Sequence, residues 1–448
     1  MKAPHPVGAD VDEVAIVTAA QHVLDANWIG SSTVPSRSLY PHQWSWDSAF
    51  IAIGRSWYDE PRARQELVTL FDAQWANGMV PHIVFNPSVP DGAYFPGPDF
   101  WDTSRSANAP RGIRTSGITQ PPVHAAAALA MHRHAVDVDG SVAFLRHLYP
   151  GLVAQHAYLG AARDAAGIGL PAIVHPWESG LDNSPLWDRT LAGLVIPSGA
   201  LPPYRRFDVQ HADAEDRPTD AAYDGFVYLA CRYRDVDYDD RALLASTEFV
   251  MVGPLFSAIF LWSTHALVEI AHIVGADPTP HREAAEAIGA AVVENLWDER
   301  RQSFDPLNVR AGAREPEDTI VSFMPLLDPA LPARLVDAIC ADLESAYFHP
   351  DLPTHFLVPT YSVESPGFDR RRYWRGPVWL NTNWLLWHGL RQHGRQDLAH
   401  EIVRSSLGLV ALSGFREYFD PFDGTGRGST DFSWSAALAI DLIRSSTA

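Results

Sequence analysis

Helical periodicity most constrains the fold of this chain, because it recurs from one end of the sequence to the other. Apolar residues repeat at i, i+3, i+4 and i+7, whereas the alternating pattern of strands is scarce. Several of the helical stretches are rich in alanine and apolar on more than one face, which is typical of helices buried on both sides. The pattern predicts twelve helices, over about 11–27, 47–56, 61–77, 121–135, 142–163, 219–233, 255–274, 281–296, 332–345, 383–392, 396–412 and 434–444.

An even number of helices in hairpin succession predicts an all-α fold, an (α/α)6 barrel with six inner helices ringed by six outer ones. We expect a single domain over residues 1–448, with a small loop subdomain at about 167–219 as the alternative. Long connections in compact folds are usually functional, which makes them the place to seek a site. Five long segments rich in Pro, Gly, Asp and aromatic residues separate the helices, at 40–47, 80–108, 175–187, 368–383 and 415–433.

The charged residues and the metal-ligating residue types exclude several functions. With 34 Lys+Arg against 54 Asp+Glu, the net charge of −20 argues against a nucleic-acid partner. The single lysine, Lys2, leaves nothing for a Walker-type phosphate loop or a Schiff base. Neither the 19 histidines nor Cys231 and Cys340 show metal-site spacing, so we expect no metal and no other cofactor.

The N-terminal residues lack the apolar core and cleavage site of a signal peptide, and the chain has no apolar run of about 18 residues. We therefore expect a cytoplasmic protein with no membrane partner. The residues leave open whether it is a monomer or a homo-oligomer.

Two of the long segments place acids beside aromatic residues. In HPWESGLDNSP, Glu178 and Asp182 lie close to Trp177. A carboxylic acid held against an indole keeps its proton near neutral pH, as a general acid must, although Asp182 could instead cap a turn. In FREYFDPFDGTGRGSTDFSWS, Glu417 stands among aromatic residues, and the alternative for it is a surface glutamate.

The other aromatic-rich segments predict a surface that binds sugar. LYPHQWSWDSAF contains Trp44 and Trp46 beside Asp47, and RRRYWRGPVWLNTNW contains Trp374 and Trp379. Flat apolar faces beside hydrogen-bonding groups suit the C–H faces and hydroxyls of a sugar. The alternative is that these aromatic residues belong to the core. We expect a small-molecule glycoside as the ligand.

Four motifs spread over nearly the whole chain resemble glycoside hydrolase family 63. They are WSWDSAF, WESGLDNSP, YWRGPVW followed by NW, and E-Y-F-D-P-x-x-G-x-G with F-x-W after it. The compact length is similar to that of the bacterial mannosylglycerate and glucosylglycerate hydrolases of this family. The resemblance implies an (α/α)6 barrel and hydrolysis with inversion, in which Asp182 is the general acid and Glu417 is the general base.

The same resemblance implies which residues bind the two halves of the substrate. It assigns glycerate to Arg217, Tyr223 and Tyr373, with Arg205, Arg206 or Arg375 as alternative partners of the carboxylate. Two rival functions remain at this point, a hydrolase of a neutral α-glucoside of the trehalose or oligosaccharide type and a carbohydrate-binding protein without catalysis. The sugar would be lined by Tyr40, Trp44, Trp46, Asp47, Gln120, Trp177, Gly180, Trp374 and Trp379.

Overall fold

The computed structural model describes residues 11–210, 213–349 and 355–446, so Lys2 and most of the segment tested for a signal peptide lie outside the described residues. Within those ranges the chain is mostly helical. The helices are α1 Glu13–Ala26, α2 Ser45–Ser56, α3 Glu60–Asp72, α4 Pro98–Trp101, α5 His124–His134, α6 Val138–Ala162, α7 Asp188–Ala192, α8 Asp220–Asp235, α9 Asp240–Ser246, α10 Pro254–Val274, α11 Thr279–Leu296, α12 Ala333–Leu343, α13 Leu380–Gln392, α14 Gln396–Ser413 and α15 Ser433–Ser446.

Short strands and 3-10 helices fill the connections between these helices. The strands are β1 Gln43–Trp44, β2 Ile83–Val84, β3 Met251–Val252, β4 Trp297–Asp298, β5 Ser303–Phe304, β6 Leu307–Asn308, β7 Ala313–Arg314, β8 Tyr418–Phe419 and β9 Gly426–Arg427. The 3-10 helices are Thr103–Arg105, Pro176–Ser179, Pro185–Trp187, Asp208–Gln210, Ala214–Asp216 and Ile320–Leu327.

All twelve predicted helices are present, with α4, α7 and α9 as additional short ones. Local chemistry sets several of the boundaries. The Asp12 side chain caps α1 by accepting a hydrogen bond from the amide of Ala15, and Thr219 caps α8 in the same way. The largest difference is the helix predicted over 61–77, which ends at Asp72.

Six helical segments contact one another in a cycle. In order they are α2, α5, α10, the 3-10 helix Ile320–Leu327, α13 and α15, and α15 contacts α2 again. Each of α1, α3, α6, α11, α12 and α14 packs against one or more members of this cycle. Every residue of α2 is buried, whereas α1 buries only a stripe of four residues. The burial therefore separates helices enclosed on all sides from helices with one solvent face, as the sequence pattern predicts.

One member of the cycle was missing from the predicted helices. Ile320–Leu327 is a fully buried 3-10 helix with Pro325 inside it, and it packs against both α10 and α13. The predicted helix 219–233 corresponds to α8, which lies instead against the 175–187 loop, where the Phe226 ring is 5.8 Å from that of Trp177.

Two short antiparallel ladders fix the loops next to two helices of the cycle, α2 and α13. β1 pairs with β2, with Trp44 opposite Ile83, just before α2 begins. β8 pairs with β9, and Phe419 also bridges to Val378, just before α13. Residues on either side of these ladders are thereby held beside the N-terminal ends of α2 and α13.

Helix α10 is long and apolar enough to cross a membrane by length and composition. In this fold 61% of its apolar window is buried, and it packs against α5, α6 and α11. These contacts are those of a core helix.

Candidate active site

The long loops line two adjoining cavities. The first, which we call the acidic cavity, has an empty volume of about 340 Å³, and the second, the arginine cavity, has one of about 580 Å³, in both cases with the open space at the mouth included. Four side chains line both cavities, namely Tyr40, Trp44, Asp182 and Tyr373.

Most of the predicted site residues lie in these walls. The acidic cavity is lined by Pro35, Tyr40, Trp44, Trp46, Asp47, Gln120, Gly180, Asp182, Tyr373, Trp374, Glu417, Phe432 and Trp434. The arginine cavity is lined by Leu39, Tyr40, Trp44, His82, Ile83, Tyr94, Phe95, Pro96, Trp177, Asp182, Phe207, Asp208, Arg217, Pro218, Tyr223, Phe226 and Tyr373.

Glu417 is held as a hydrogen-bond acceptor at the start of β8. The hydroxyl of Tyr40 donates to its Oε1 at 2.6 Å, and the amide of Ser429 donates to its Oε2 at 2.9 Å. Arg217 Nη1 lies 3.4 Å from Oε1. Three donors, one of them the Arg217 guanidinium, thus converge on the two carboxylate oxygens of Glu417 and fix their position.

The absence of a side chain at Gly428 leaves room for the carboxylate of Glu417. Gly428 has a φ of +63°, and a Cβ on it would lie 2.3 Å from Glu417 Oε2. A side chain there would both strain the backbone and displace the carboxylate. The glycine-rich segment 424–428 therefore shapes the site.

The surroundings of Asp182 favour the protonated form of its carboxyl group. Burial raises its pKa from 3.8 to about 7, Arg217 opposes the shift and Glu417 adds to it. The preceding Gly180 has a φ of +77° and packs so closely on Trp46 that a Cβ would lie 2.5 Å from the indole. Asp182 is thus fixed at the junction of the cavities, with a pKa that keeps a large fraction protonated near neutral pH.

Glu178, the other acid of the WESGLDNSP motif, has a structural role. Arg163 donates to both of its carboxylate oxygens, at 2.8 and 3.0 Å, and the amide of Val174 donates to it at 2.8 Å. Both charged side chains are almost completely buried. This pair fixes the loop that carries Trp177 and Asp182.

Asp47 is a third carboxyl group of the acidic cavity, in the first turn of α2. Burial raises its pKa well above the ordinary value, and the charges of Glu417 and Asp182 add to the shift. Next to it, Gln120 Oε1 accepts a hydrogen bond from the amide of Trp46 at 3.2 Å. The cavity therefore combines carboxyl and amide groups with indole faces.

The aromatic wall consists of two layers. Trp374 lines the acidic cavity, and Trp379 stacks behind it with ring centroids 3.7 Å apart. Trp379 is not among the lining residues; its Nε1 donates to the carbonyl of Tyr373 at 2.9 Å and holds that residue at a φ of +41°. Trp177 lies in the wall of the arginine cavity, together with Tyr223.

Arg217 lines the arginine cavity and contacts Glu417, which lines the acidic cavity. Besides its contact with Glu417, its Nη2 donates to the hydroxyl of Tyr40 at 3.1 Å and its Nε to Asp208 at 3.4 Å. The guanidinium carbon lies 4.2 Å from the centroid of the Tyr373 ring, a cation–π geometry.

The alternative arginines are placed elsewhere. Arg206 forms ion pairs with Asp208 and Asp220 while stacking on the Tyr223 ring at 4.6 Å. Arg375 pairs with Asp188, and Arg205 is exposed. Of the four candidates, Arg217 is the one that lines a cavity.

Among the lining residues of the arginine cavity that sequence reasoning missed, three have polar side-chain groups: His82, Tyr94 and Asp208. The first two belong to the aromatic-rich segment 80–108, so composition singled out their loop without identifying the residues. Asp208 precedes an acid-rich stretch that gives no sign of a cavity position. In the described part of the chain, no group of three or more His, Cys, Asp or Glu side chains is arranged to hold a metal ion.

A helical protein that sets a carboxylate held by three donors and a buried carboxyl group of raised pKa around an aromatic-lined cavity has the features of a glycoside hydrolase. The family model "Mannosylglycerate hydrolase MGH1-like glycoside hydrolase domain" matches residues 40–435. The chain belongs to this group of glycoside hydrolase family 63.

Individual relatives match over nearly the full length. A mannosylglycerate hydrolase from Rubrobacter radiotolerans is 40% identical over 99% of both chains. A glucosylglycerate hydrolase from Mycolicibacterium hassiacum is also 40% identical, over 96% of this chain and 97% of the relative. The crystal structure of the mannosylglycerate hydrolase from Thermus thermophilus in complex with Tris and D-glycerate superposes with a TM-score of 0.88 at 39% identity, covering 95% of this chain and 99% of that one.

Proposed function

We propose that this protein hydrolyses glucosylglycerate, mannosylglycerate or both to the sugar and glycerate, with inversion at the anomeric carbon. The observation that carries the proposal is the position of Asp182, at the junction of a cavity that contains Glu417 and a cavity that contains Arg217. The relatives named for the two activities are equally similar to this chain, so identity does not choose between the two sugars.

A glycoside whose sugar fills the acidic cavity and whose glycerate fills the arginine cavity brings its glycosidic oxygen to Asp182. The protonated carboxyl group then donates its proton to that oxygen as the bond to the anomeric carbon breaks. Glu417 accepts a proton from the water that attacks the opposite face of the sugar. This mechanism predicts that the two carboxyl groups are about 6.5–9.5 Å apart, which leaves room for the water.

Arg217 is the residue that we assign to the glycerate carboxylate. Its planar group has five N–H donors, and the contacts to Asp208, Glu417, Tyr40 and Tyr418 do not use all of them. A local cation is needed because the net charge of −20 repels an anionic substrate. Tyr223 and Tyr373 line the same cavity and complete the glycerate pocket that we propose.

A screen of released sugar tests the substrate. We expect turnover of glucosylglycerate or mannosylglycerate and little turnover of trehalose or kojibiose. A preference for the neutral disaccharides would instead support the α-glucosidase alternative, and binding without turnover would support a carbohydrate-binding protein. NMR of the first-formed sugar should show the inverted anomer, since retention requires a covalent intermediate and a closer carboxyl pair.

The role of Arg217 is tested by a double difference. Arg217→Ala should cost about 2–5 kcal/mol more in kcat/KM for a glycerate glycoside than for the matching glycerol glycoside, because both substrates lose the cation beside Glu417 and Asp182 but only the acid loses the partner of its carboxylate. Arg375→Ala, which removes an arginine paired with Asp188, is the matched control. Equal losses on both substrates would assign Arg217 a structural role.

We further infer that the helices close into an (α/α)6 barrel. The cycle of contacts from α2 round to α15 and back supports this arrangement, as does the complete burial of α2. A cytoplasmic location and a single domain over the whole chain stay predictions.

A further inference from the structure

His82 is a lining residue of the arginine cavity whose orientation is fixed by its surroundings. Its amide donates to the carbonyl of Ile118 at 2.7 Å, and its carbonyl accepts from the amide of Ser45 at 3.0 Å. The β1–β2 ladder begins at the next residue and places the imidazole edge-to-face with Trp44, with ring centroids 4.5 Å apart. The Trp177 ring lies nearly parallel at 6.5 Å.

The polar atoms of this imidazole are not used by the fold. Among the described residues, Nδ1 is buried and has no hydrogen-bond partner, whereas Nε2 is not sealed in this way. A neutral imidazole carries one N–H, and placing it on the sealed Nδ1 would bury a donor that nothing satisfies. The favoured tautomer therefore carries the proton on Nε2, the nitrogen left to face the cavity that the residue lines.

The charge state of the ring follows from the same burial. Burial lowers the pKa of His82 well below its ordinary value, and His175 lowers it further. The imidazole is thus neutral over the range in which a hydrolase works, and it offers a hydrogen bond without a charge. In this it differs from Arg217, which lines the same cavity as a cation.

Glycerate offers a matching pair of groups. Its carboxylate requires a cation, and of its two hydroxyls one is joined to the sugar while the other stays free. We propose that His82 is a specificity-determining residue, whose Nε2–H donates to the free hydroxyl of the glycerate that Arg217 holds by its carboxylate. The inference rests on the proposed function and makes it sharper, because the arginine cavity should then reject three-carbon acids that lack the hydroxyl. A site that binds a hydroxyl rejects the deoxy analogue because its own polar group is left unpaired.

Competitive inhibition by free acids tests this inference. D-glycerate is compared with D-lactate and 3-hydroxypropionate, each of which lacks one of its hydroxyls. In the unsubstituted enzyme, D-glycerate should bind about tenfold more tightly than at least one deoxy acid, the factor that corresponds to one well-placed hydrogen bond. In His82→Phe, which keeps an aromatic ring between Trp44 and Trp177, that advantage should fall below about twofold while the deoxy acid binds as before.

Two further variants separate recognition from packing. His82→Gln keeps a donor near the position of Nε2 and should restore part of the D-glycerate advantage. His156→Phe replaces another buried histidine, stacked on Phe260 with centroids 5.2 Å apart and outside both cavities, and should leave the advantage unchanged. His82→Leu removes the donor with a smaller side chain and gives the same expectation if the phenylalanine variant does not fold.

The possible results separate the role of His82 from the proposed activity of the enzyme. An undiminished D-glycerate advantage in His82→Phe or His82→Leu, or an equal loss for all three acids, would show that His82 only packs. If D-glycerate does not inhibit the unsubstituted enzyme while a neutral disaccharide is turned over, the proposed function fails and this inference fails with it.

Discussion

Replacing Arg217 by glutamine should move the alkaline limb of the pH profile of kcat/KM to higher pH. The alkaline limb reports the general acid, which has to be protonated to act. Arg217 lowers the pKa of Asp182, because a nearby cation favours the ionised carboxylate. Removing that cation favours the neutral acid, so the pKa of Asp182 rises and the protonated fraction persists to higher pH.

The position of the alkaline limb in the unsubstituted enzyme follows from the pKa of Asp182. A carboxyl group with its ordinary pKa of 3.8 would be protonated in about one molecule in 1,600 at pH 7, whereas a pKa of about 7 protonates about half. At pH 8 the fraction falls to about one tenth, and each further pH unit removes about another factor of ten. The limb should therefore begin near pH 7 and approach a slope of −1.

The assay is the initial rate at low concentration of a glycerate glycoside between pH 5 and pH 9.5, a range in which the substrate carboxylate does not titrate. The position of the limb is compared, not the height of the profile, because Arg217→Gln also weakens binding. Arg375→Gln is the control, since Arg375 pairs with Asp188 and lines neither cavity. A limb that stays in place or moves to lower pH in Arg217→Gln would refute the electrostatic coupling, and a limb below pH 5 in the unsubstituted enzyme would remove Asp182 as the acid.

Four further predictions concern the roles of Asp182 and Glu417, the stability of the loop that carries Asp182, the glycine beside Glu417, and the requirement for a metal ion. Asp182→Asn should lose about 10²–10⁴-fold in kcat on a glycoside but recover in part on a glycosyl fluoride, whose leaving group needs little protonation, whereas Glu417→Gln should not recover. Glu178→Ala should lower the free energy of unfolding by about 3–5 kcal/mol in urea denaturation, because it leaves Arg163 buried and unpaired, and an unchanged midpoint would contradict this. Gly428→Ala should lower kcat about 100-fold with an unchanged far-UV circular dichroism spectrum, because the added methyl group displaces the base. Activity should survive exhaustive chelation with EDTA, and loss followed by recovery with a divalent ion would overturn the metal-free mechanism.

The helices could be predicted from sequence because their signal is local. Periodicity located all twelve, but Ile320–Leu327 escaped because a short apolar run containing Pro325 gives no helical period. Its helical form depends on packing against α10 and α13, which no local pattern contains. The same reason explains α8, whose pattern predicts a helix but not its place beside a loop.

The sequence motifs predict most of the site residues, but they do not determine the role of each one. Glu178 and Asp182 are two acids of one motif, and the residues alone do not say which one is free to act. The distinction comes from Arg163, which the fold brings back from the end of α6 to pair with Glu178. His82 likewise has no sequence signal, because its role depends on which ring atoms the surrounding aromatic residues cover.

The contact between Arg217 and Glu417 has a consequence for how such an enzyme can change its substrate. The guanidinium that we assign to the aglycone also contacts Glu417, the proposed base, at 3.4 Å and lowers the pKa of Asp182, the proposed acid. A mutation that adapts the arginine cavity to an uncharged aglycone by removing Arg217 therefore alters both proton-transfer groups at once. New aglycones are accessible in a single step only through other walls of the cavity, whereas a switch to neutral substrates requires a second change that resets the acid and the base.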